Sequence, residues 1–356
     1  MLLTMKRASQ TAIGIDFGGT KIEVALACAA GTLLERERLD TLAELGPQQA
    51  FERTAAAVRR LEALSRETHG ASVTGYAAVA PGIVQSDRIL LTPNLPGWED
   101  LALARELQRA LGLDQPPAVG NDVRAGALAE LHFGALRGVD PGLYISLGTG
   151  ISAAVTVGGN VLAGANRAAG EIAYVDPGDR SRGGSIYRSG GAPLEEIVGG
   201  KAIGERASAE FGEELTAAEV FARAASGSGA GDGDEAALAT VRETLDVLGR
   251  SIANISVLID PELIVFGGGM MASADVILPV LREHLAATVP FPPRLASAHF
   301  TRDASLHGAV ALALLDQGLT AVDAACPPRA LDVVRIPAGV ADPVDESQLT
   351  TGGTIS

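Results

Sequence analysis

One phrase in this chain occurs twice, and the repetition restricts the fold more than any single motif does. In Ile13-Gly14-Ile15-Asp16-Phe17-Gly18-Gly19-Thr20-Lys21 an apolar strand ends in an acid, turns through glycines and enters a second strand at Ile22, Val24 and Leu26. In Leu143-Tyr144-Ile145-Ser146-Leu147-Gly148-Thr149-Gly150 another strand runs into a Gly/Thr turn and on to a small-residue strand from Ile151 to Val157. Each copy continues through glycine into a third apolar piece, Leu33-Leu34 in the first and Val161-Leu162 in the second. Setting Ile15 on Ile145 places Gly18 on Gly148. Repeated supersecondary units define an architecture. Here they predict a duplicated lobe, with one turn from each half facing a shared cleft.

Taken alone, the first turn suits either an ordinary hairpin with a Gly-Gly turn or an anion cradle built from consecutive backbone N–H groups. Asp16 beside such a cradle suits a hydrated Mg²⁺ better than a bare phosphate, which it would repel. Thr20 adds a hydroxyl. Two such turns facing each other favour a nucleotide clamp over two idle hairpins. A third glycine turn, Gly267-Gly268-Gly269, follows the buried strand Leu263 to Phe266 and precedes a helix. Glycine there lets a flat ring or a phosphate approach the backbone.

At 356 residues the chain exceeds the common single-domain size, so two lobes are expected. Hydrophobic residues make up 47% and aromatics only 4%, so the cores pack by Ala, Val, Leu and Ile. A net charge of −15 argues against a nucleic-acid surface. Cys28 and Cys326 are too few for a disulfide framework, as in a reducing cytosol. Leu2 and Leu3 are too short a patch for a secretory segment. Residues 141–166 lack charge, but Pro141 and recurring glycines fit paired buried strands better than a spanning helix. A soluble, cytoplasmic protein with no membrane partner is expected. Apolar periodicity predicts helices over Gln48 to Arg66, Leu101 to Leu111, Asp122 to about Leu136 and Val241 to Leu258. Strands are expected over Val73 to Val79 and at Ala118-Val119, a loop over 176–192, and a flexible connection from Ser226 to Asp234.

Three polar phrases complete the pattern. In Thr92-Pro93-Asn94-Leu95-Pro96-Gly97-Trp98, the asparagine offers the donor and acceptor that a sugar diol requires; the alternative is a proline-braced turn with Trp98 packed beneath it. Asn121-Asp122 sits at a strand end and helix start. It is an ordinary N-cap, or it supplies a carboxylate that takes the proton of an attacking hydroxyl in phosphoryl transfer. In Ala169-Gly170-Glu171-Ile172 a carboxylate lies among small and apolar residues, where a charge is costly unless partnered. That favours a ligand-facing role.

In this order, Asp16-Phe17-Gly18-Gly19-Thr20-Lys21, Pro93 to Trp98, Asn121-Asp122, Gly148-Thr149-Gly150, Ala169 to Ile172 and Gly267-Gly268-Gly269 resemble the ROK family over roughly residues 11–315. These are bacterial sugar kinases and related repressors with a two-lobed α/β fold, the actin-like, hexokinase-type (RNase H-like) ATPase fold with duplicated β-hairpin sheets. The resemblance implies that Asp16, Gly18, Gly19, Thr20 and Lys21, with Gly148, Thr149 and Gly150, hold the phosphates of ATP and Mg²⁺, Asp16 through water. It implies that Gly267, Gly268 and Gly269 line the adenosine, that Asn94, Asn121 and Glu171 bind the sugar, and that Asp122 is the catalytic base beside the bound sugar. Pro193-Leu194-Glu195-Glu196 ahead of Gly199-Gly200 is similar to a family Gly-Cys-Leu-Glu stretch, which makes Glu195 a second sugar-binding carboxylate. The implied organisation is an N-terminal lobe over 1–121, a larger lobe over 122–300, a helix over 301–318 returning to the first lobe, and a flexible tail over 319–356. A homodimer is implied too.

Two departures bear on substrate. Many family members hold a structural zinc through a histidine after the Gly-Glu-Ile phrase and a cysteine cluster. Here Tyr174 takes that histidine position and loop 176–192 has no cysteine, so no zinc site is expected. The histidines 69, 132, 284, 299 and 307 show no replacement spacing. Because the family histidine also touches sugar, Tyr174 points to a non-standard sugar or a C7-cyclitol, or else it merely fills space. About a dozen residues precede the first glycine turn, too few for the helix-turn-helix of a repressor. The expected activity is ATP-dependent phosphorylation of a primary hydroxyl on a hexose-like substrate, with polyphosphate the open alternative as donor. The reading of another class is a non-catalytic sugar-binding regulator.

Overall fold

The computed structural model describes residues 10–92, 94–178, 191–226 and 232–318. Strands β1 (Gln10–Phe17), β2 (Lys21–Cys28) and β3 (Leu33–Asp40) form an antiparallel meander. Helix α1 (Gly46–His69) crosses back, and β4 (Ser72–Ala80) joins β1 in parallel. After a small hairpin, β5 (Ile83–Val84) and β6 (Ile89–Leu90), and helix α2 (Leu103–Leu111), β7 (Ala118–Asn121) completes the order β3-β2-β1-β4-β7. Helix α3 (Asp122–Phe133) then leads to the second copy. There β8 (Gly142–Leu147), β9 (Ile151–Val157) and β10 (Asn160–Val161) repeat the meander. Four helices follow: α4 (Glu195–Val198), α5 (Gly200–Phe211), α6 (Ala217–Ser226) and α7 (Asp232–Ile259). Strand β11 (Leu263–Gly267), helix α8 (Ala274–Thr288) and β12 (Arg294–Ser297) give the order β10-β9-β8-β11-β12, and helix α9 (Ala304–Asp316) closes the fold.

The two sheets are therefore the same sheet built twice. Ile15 pairs with Val24 and Ala78, and Ile145 with Ala153 and Phe266, so both isoleucines occupy one structural position. The turns differ by one residue, four lying between the Phe17–Ile22 pair and three between Leu147–Ile151. The third strands differ more: β3 runs through the alternating Leu33–Asp40 (LLERERLD), longer than its first two apolar residues suggest, whereas β10 has two residues. Exposed charges on this edge strand discourage pairing with another chain.

One face of the first sheet packs Ile13, Ile15, Val24 and Leu26 against Phe51, Val58 and Leu61 of α1. Phe17, Phe51 and Trp98 form a ring cluster with centroids 5.0–5.7 Å apart, tying the phrase at 94–98 to the first turn. In the second lobe Leu143, Ile145 and Leu147 meet Val198, Leu245, Leu248, Ile252 and Leu281. Helix α7 begins at Asp232, upstream of the expected Val241, because Glu235, Ala236 and Ala237 are good helix formers and extend the pattern. Of the expected loop 176–192, residues 179–190 lie outside the described residues, as does the tail 319–356.

The opposite faces of the two sheets look toward each other across α3 and α9. Small residues make this possible: Ala12, Ala25, Ala27 and Ala77 receive Leu306, Val310, Ala313 and Leu314 of α9. Ala127, Leu136, Tyr144, Ala154 and Val265 pack together on the second sheet. Where the helices cross, a Cβ on Gly308 would overlap the Ala125 carbonyl. Glu130, buried in α3, accepts from Ala135 N–H (2.7 Å) and Phe300 N–H (2.9 Å), which fixes the segment entering α9. Gly308→Ala is therefore expected to force the helices apart and destabilise the protein by about 1–3 kcal/mol. Denaturant unfolding measures this, and wild-type stability would contradict it.

Candidate active site

The helix pair brings two N-termini to the same side of the molecule. Asn121 and Asp122 start α3, and Ser305 lies in the first turn of α9. Asn121 is a true cap: its Oδ1 accepts from Val123 N–H (2.9 Å) and Arg124 N–H (3.0 Å), and its Nδ2 donates to Gly82 O (2.7 Å). One amide hydrogen is left for the cleft. Asp122 follows, free of that duty except for Val123 N–H at 2.8 Å.

Three contiguous cavities run through this region. The first, about 580 Å³, is lined by Asn94, Asn121, Asp122, Glu171, Tyr174 and Glu195, together with Gly148, Thr149 and Gly150. All six expected sugar-binding side chains thus meet in one space, from both lobes. The second cavity, about 480 Å³, is lined by Lys21, Arg38, Gly268, Gly269, Arg302 and Ser305 among others. The third, about 840 Å³, holds Gly148, Thr149 and Gly269 on one side and Leu215, Phe221 and Met270 on another, an apolar slot. Asp122 and Ser146 belong to the walls of both the first and the second cavity.

Local chemistry explains how these side chains are held. Leu95 and Trp98 are buried beneath their turn and leave Asn94 exposed above it, so the bracing role and the cleft-facing role coexist. Glu195 accepts from Ile151 N–H (3.0 Å) in the space a side chain at Gly150 would fill. Glu171 follows a loop fastened to α3 by Arg124 Nη1 on Arg167 O (2.5 Å) and to the other half by Gln85 Nε2 on Asn166 O (3.1 Å). Gly268 has φ 90°, and a Cβ there would overlap the Leu147 backbone, so the third turn requires glycine.

The first turn is more specific than its glycines suggest. Gly18 N–H donates to Lys21 O (2.9 Å) and Gly148 N–H to Gly150 O (3.0 Å), which closes each turn on itself. Thr41 Oγ1 donates to Gly18 O (2.6 Å). The N–H groups of Gly19, Thr20, Thr149 and Gly150 have no acceptor among the described residues, and these are the amides an anion can take. Gly19 backs onto Asn94, while Asp16 lies behind the second cavity and accepts from Ser305 Oγ at 2.5 Å. Gly267, in β11, lies against the Tyr144 ring.

The electrostatics are those of carboxylates gathered out of water. Burial pushes Asp16 up to about 7, against the Ser305 hydrogen bond, with Asp122 and Glu23 adding to the rise. Burial likewise raises Asp122, partly offset by the Val123 N–H and the Arg124 charge. Glu171 is raised by burial and by the nearby Asp122 and Glu195, with Arg124 opposing.

Several site residues escaped sequence reasoning. Ser146 was recoverable, because setting Ile15 on Ile145 also sets Asp16 on Ser146. Ser305, 289 positions from Asp16, carries no local signal. Arg38, Arg124 and Arg302 sit in ordinary charged patterns.

Paired five-stranded sheets around a helix pair, with a polar cleft between them, define a two-lobed α/β protein of the hexokinase type. The sequence model of the ROK family matches residues 12–315, and the chain belongs to the ROK family. It is 33% identical over 314 residues to the N-acetylmannosamine kinase of Shigella boydii, covering 86% of this chain and 99% of that one. It is 30% identical over 319 residues to the glucokinase of Halalkalibacterium halodurans, covering 83% of this chain and 90% of that one. The crystal structure of a ROK hexokinase from Thermus thermophilus superposes with a TM-score of 0.71 at 28% identity, covering 86% of this chain and 99% of that one.

Proposed function

We propose that this protein is an ATP-dependent kinase that phosphorylates a primary hydroxyl of a hexose or hexose-like polyol. The observation that carries this reading is the position of Asp122, on the wall shared by the first and second cavities. A base for phosphoryl transfer must touch the acceptor hydroxyl while that oxygen faces the phosphate. Relatives named glucokinase and N-acetylmannosamine kinase support the sugar class.

In this reading the acceptor fills the first cavity. Asn94 and the remaining Asn121 hydrogen bind its hydroxyls, and Glu171 and Glu195 accept from others. Tyr174, 37% exposed at the rim, meets the far side of the ring. The second cavity takes the phosphates, the unpaired amides of Thr149 and Gly150 on the adjoining wall of the first cavity are donors to the terminal one, and the apolar third cavity takes the adenine. Asp122 receives the proton as the hydroxyl oxygen bonds to the γ-phosphorus and the bond to the ADP oxygen breaks.

The residues fit a hydrated Mg²⁺. Among the described residues no three metal-ligating side chains cluster, so a protein cage is not available. Asp16 is a half-buried acid with one hydroxyl donor, the kind of group that holds Mg²⁺ through water. When bound, the ion would neutralise charge on the phosphates.

Two outcomes test this. Asp122→Asn is expected to lower kcat by about 10²–10⁴-fold while ATP and acceptor still bind, read by ADP release and calorimetry. Substantial residual turnover contradicts the base assignment, and binding without turnover in the wild type favours the regulator. The base must be ionised, and burial raises its pKa, so kcat/KM should fall on acidification with a limb above the ordinary aspartate value of 3.8. A limb at or below that value contradicts the role.

A further inference from the structure

The cations around the second cavity are not equivalent. Lys21, which the motif assigns to the phosphates, is paired with Glu23 Oε2. Glu23 is 3% exposed, and its other oxygen takes Arg36 Nη2 at 2.5 Å. Arg36 also donates to Asp303 Oδ2 at 3.1 Å. Both of these cations are thus neutralised within the protein.

Arg38 is different. It sits directly across from Glu23 in the β2–β3 register, yet both Glu23 oxygens are already occupied. Arg302 reaches the same cavity from the segment between β12 and α9. Neither arginine makes a hydrogen bond or ion pair among the described residues, and both are exposed. Two uncompensated guanidinium groups therefore face one space from opposite ends of the chain, beside Asp122. Guanidinium is the side chain suited to bidentate contact with phosphate oxygens.

Resting on the kinase reading above, we infer that Arg38 and Arg302 form the charged clamp for the donor's phosphate chain, in place of the internally paired Lys21. The ligand chemistry is a linear oligophosphate, carried on a nucleoside or free. The clamp recognises charge and oxygen geometry, and the apolar third cavity adds the nucleoside separately.

The test uses the full chain with Arg38→Ala, Arg302→Ala, the double variant and the two Lys variants. Calorimetry in Mg²⁺ buffer measures binding of ATP, inorganic tripolyphosphate and adenosine. Each Ala variant is expected to weaken ATP roughly tenfold and the double roughly a hundredfold, with adenosine unchanged and Lys restoring part of the loss. The weakening should shrink as salt rises. Equal loss of tripolyphosphate identifies the free chain as a ligand; loss of ATP alone assigns the clamp to nucleotide-borne phosphates, and either supports the inference. Unchanged ATP binding in the double variant, or equal loss of adenosine, overturns it. A wild type that binds ATP through these arginines but phosphorylates no sugar leaves the clamp standing and removes the kinase reading.

Discussion

The close crossing of α3 and α9 between the two sheets is the constraint on which the site depends. Each helix follows the last strand of its repeat, β7 or β12, so the duplication itself delivers two helices to the midline. Gly308 lets α9 lie against the backbone at Ala125. That approach sets the first turns of both helices side by side, with Asp122 on one and Ser305 on the other. Helix N-termini carry partial positive charge and unpaired N–H groups, so both ends favour an anion between them. The placing of Asp122 beside Ser305 is in this sense a product of helix packing.

A second theme is charge held out of water. Burial raises Asp16, Asp122 and Glu171, and the Asp122 charge adds to the rise of the other two. Arg124 opposes the rise of Asp122 and Glu171, and its own protonation is disfavoured by burial. Such a site is electrostatically expensive when empty, and ligand donors lower that cost. Pairing Lys21 with Glu23 keeps one cation from cancelling the acids, while Arg38 and Arg302 line the second cavity with no ion-pair partner among the described residues.

Much of this was legible in the sequence because repetition is a strong signal. The alignment of Ile15 with Ile145 fixed the equivalence of the two sheets, and the motif residues from Asn94 to Glu195 converge on one cavity. In two of the phrases the plain structural role is present and leaves a polar side chain on the cleft. Asn121 caps α3 while lining the cleft, and Trp98 braces the turn that lifts Asn94. What local pattern could not show were long-range choices. Glu23 has three basic neighbours on β2 and β3, and only folded geometry decides that it takes Lys21 and Arg36 and leaves Arg38. The Ser305 bond to Asp16 depends on α9 returning to the first sheet, which no nearby residue announces.

The most direct measurement is a crystal structure of the ternary complex with a non-hydrolysable ATP analogue and an acceptor sugar. The account places the acceptor's primary hydroxyl within hydrogen-bond reach of the Asp122 carboxylate, at roughly 2.6–3.2 Å, and the terminal phosphate in the cavity shared with Ser305. An acceptor bound with that hydroxyl turned away from Asp122, or phosphates lying outside the cavity lined by Ser146 and Ser305, would contradict it.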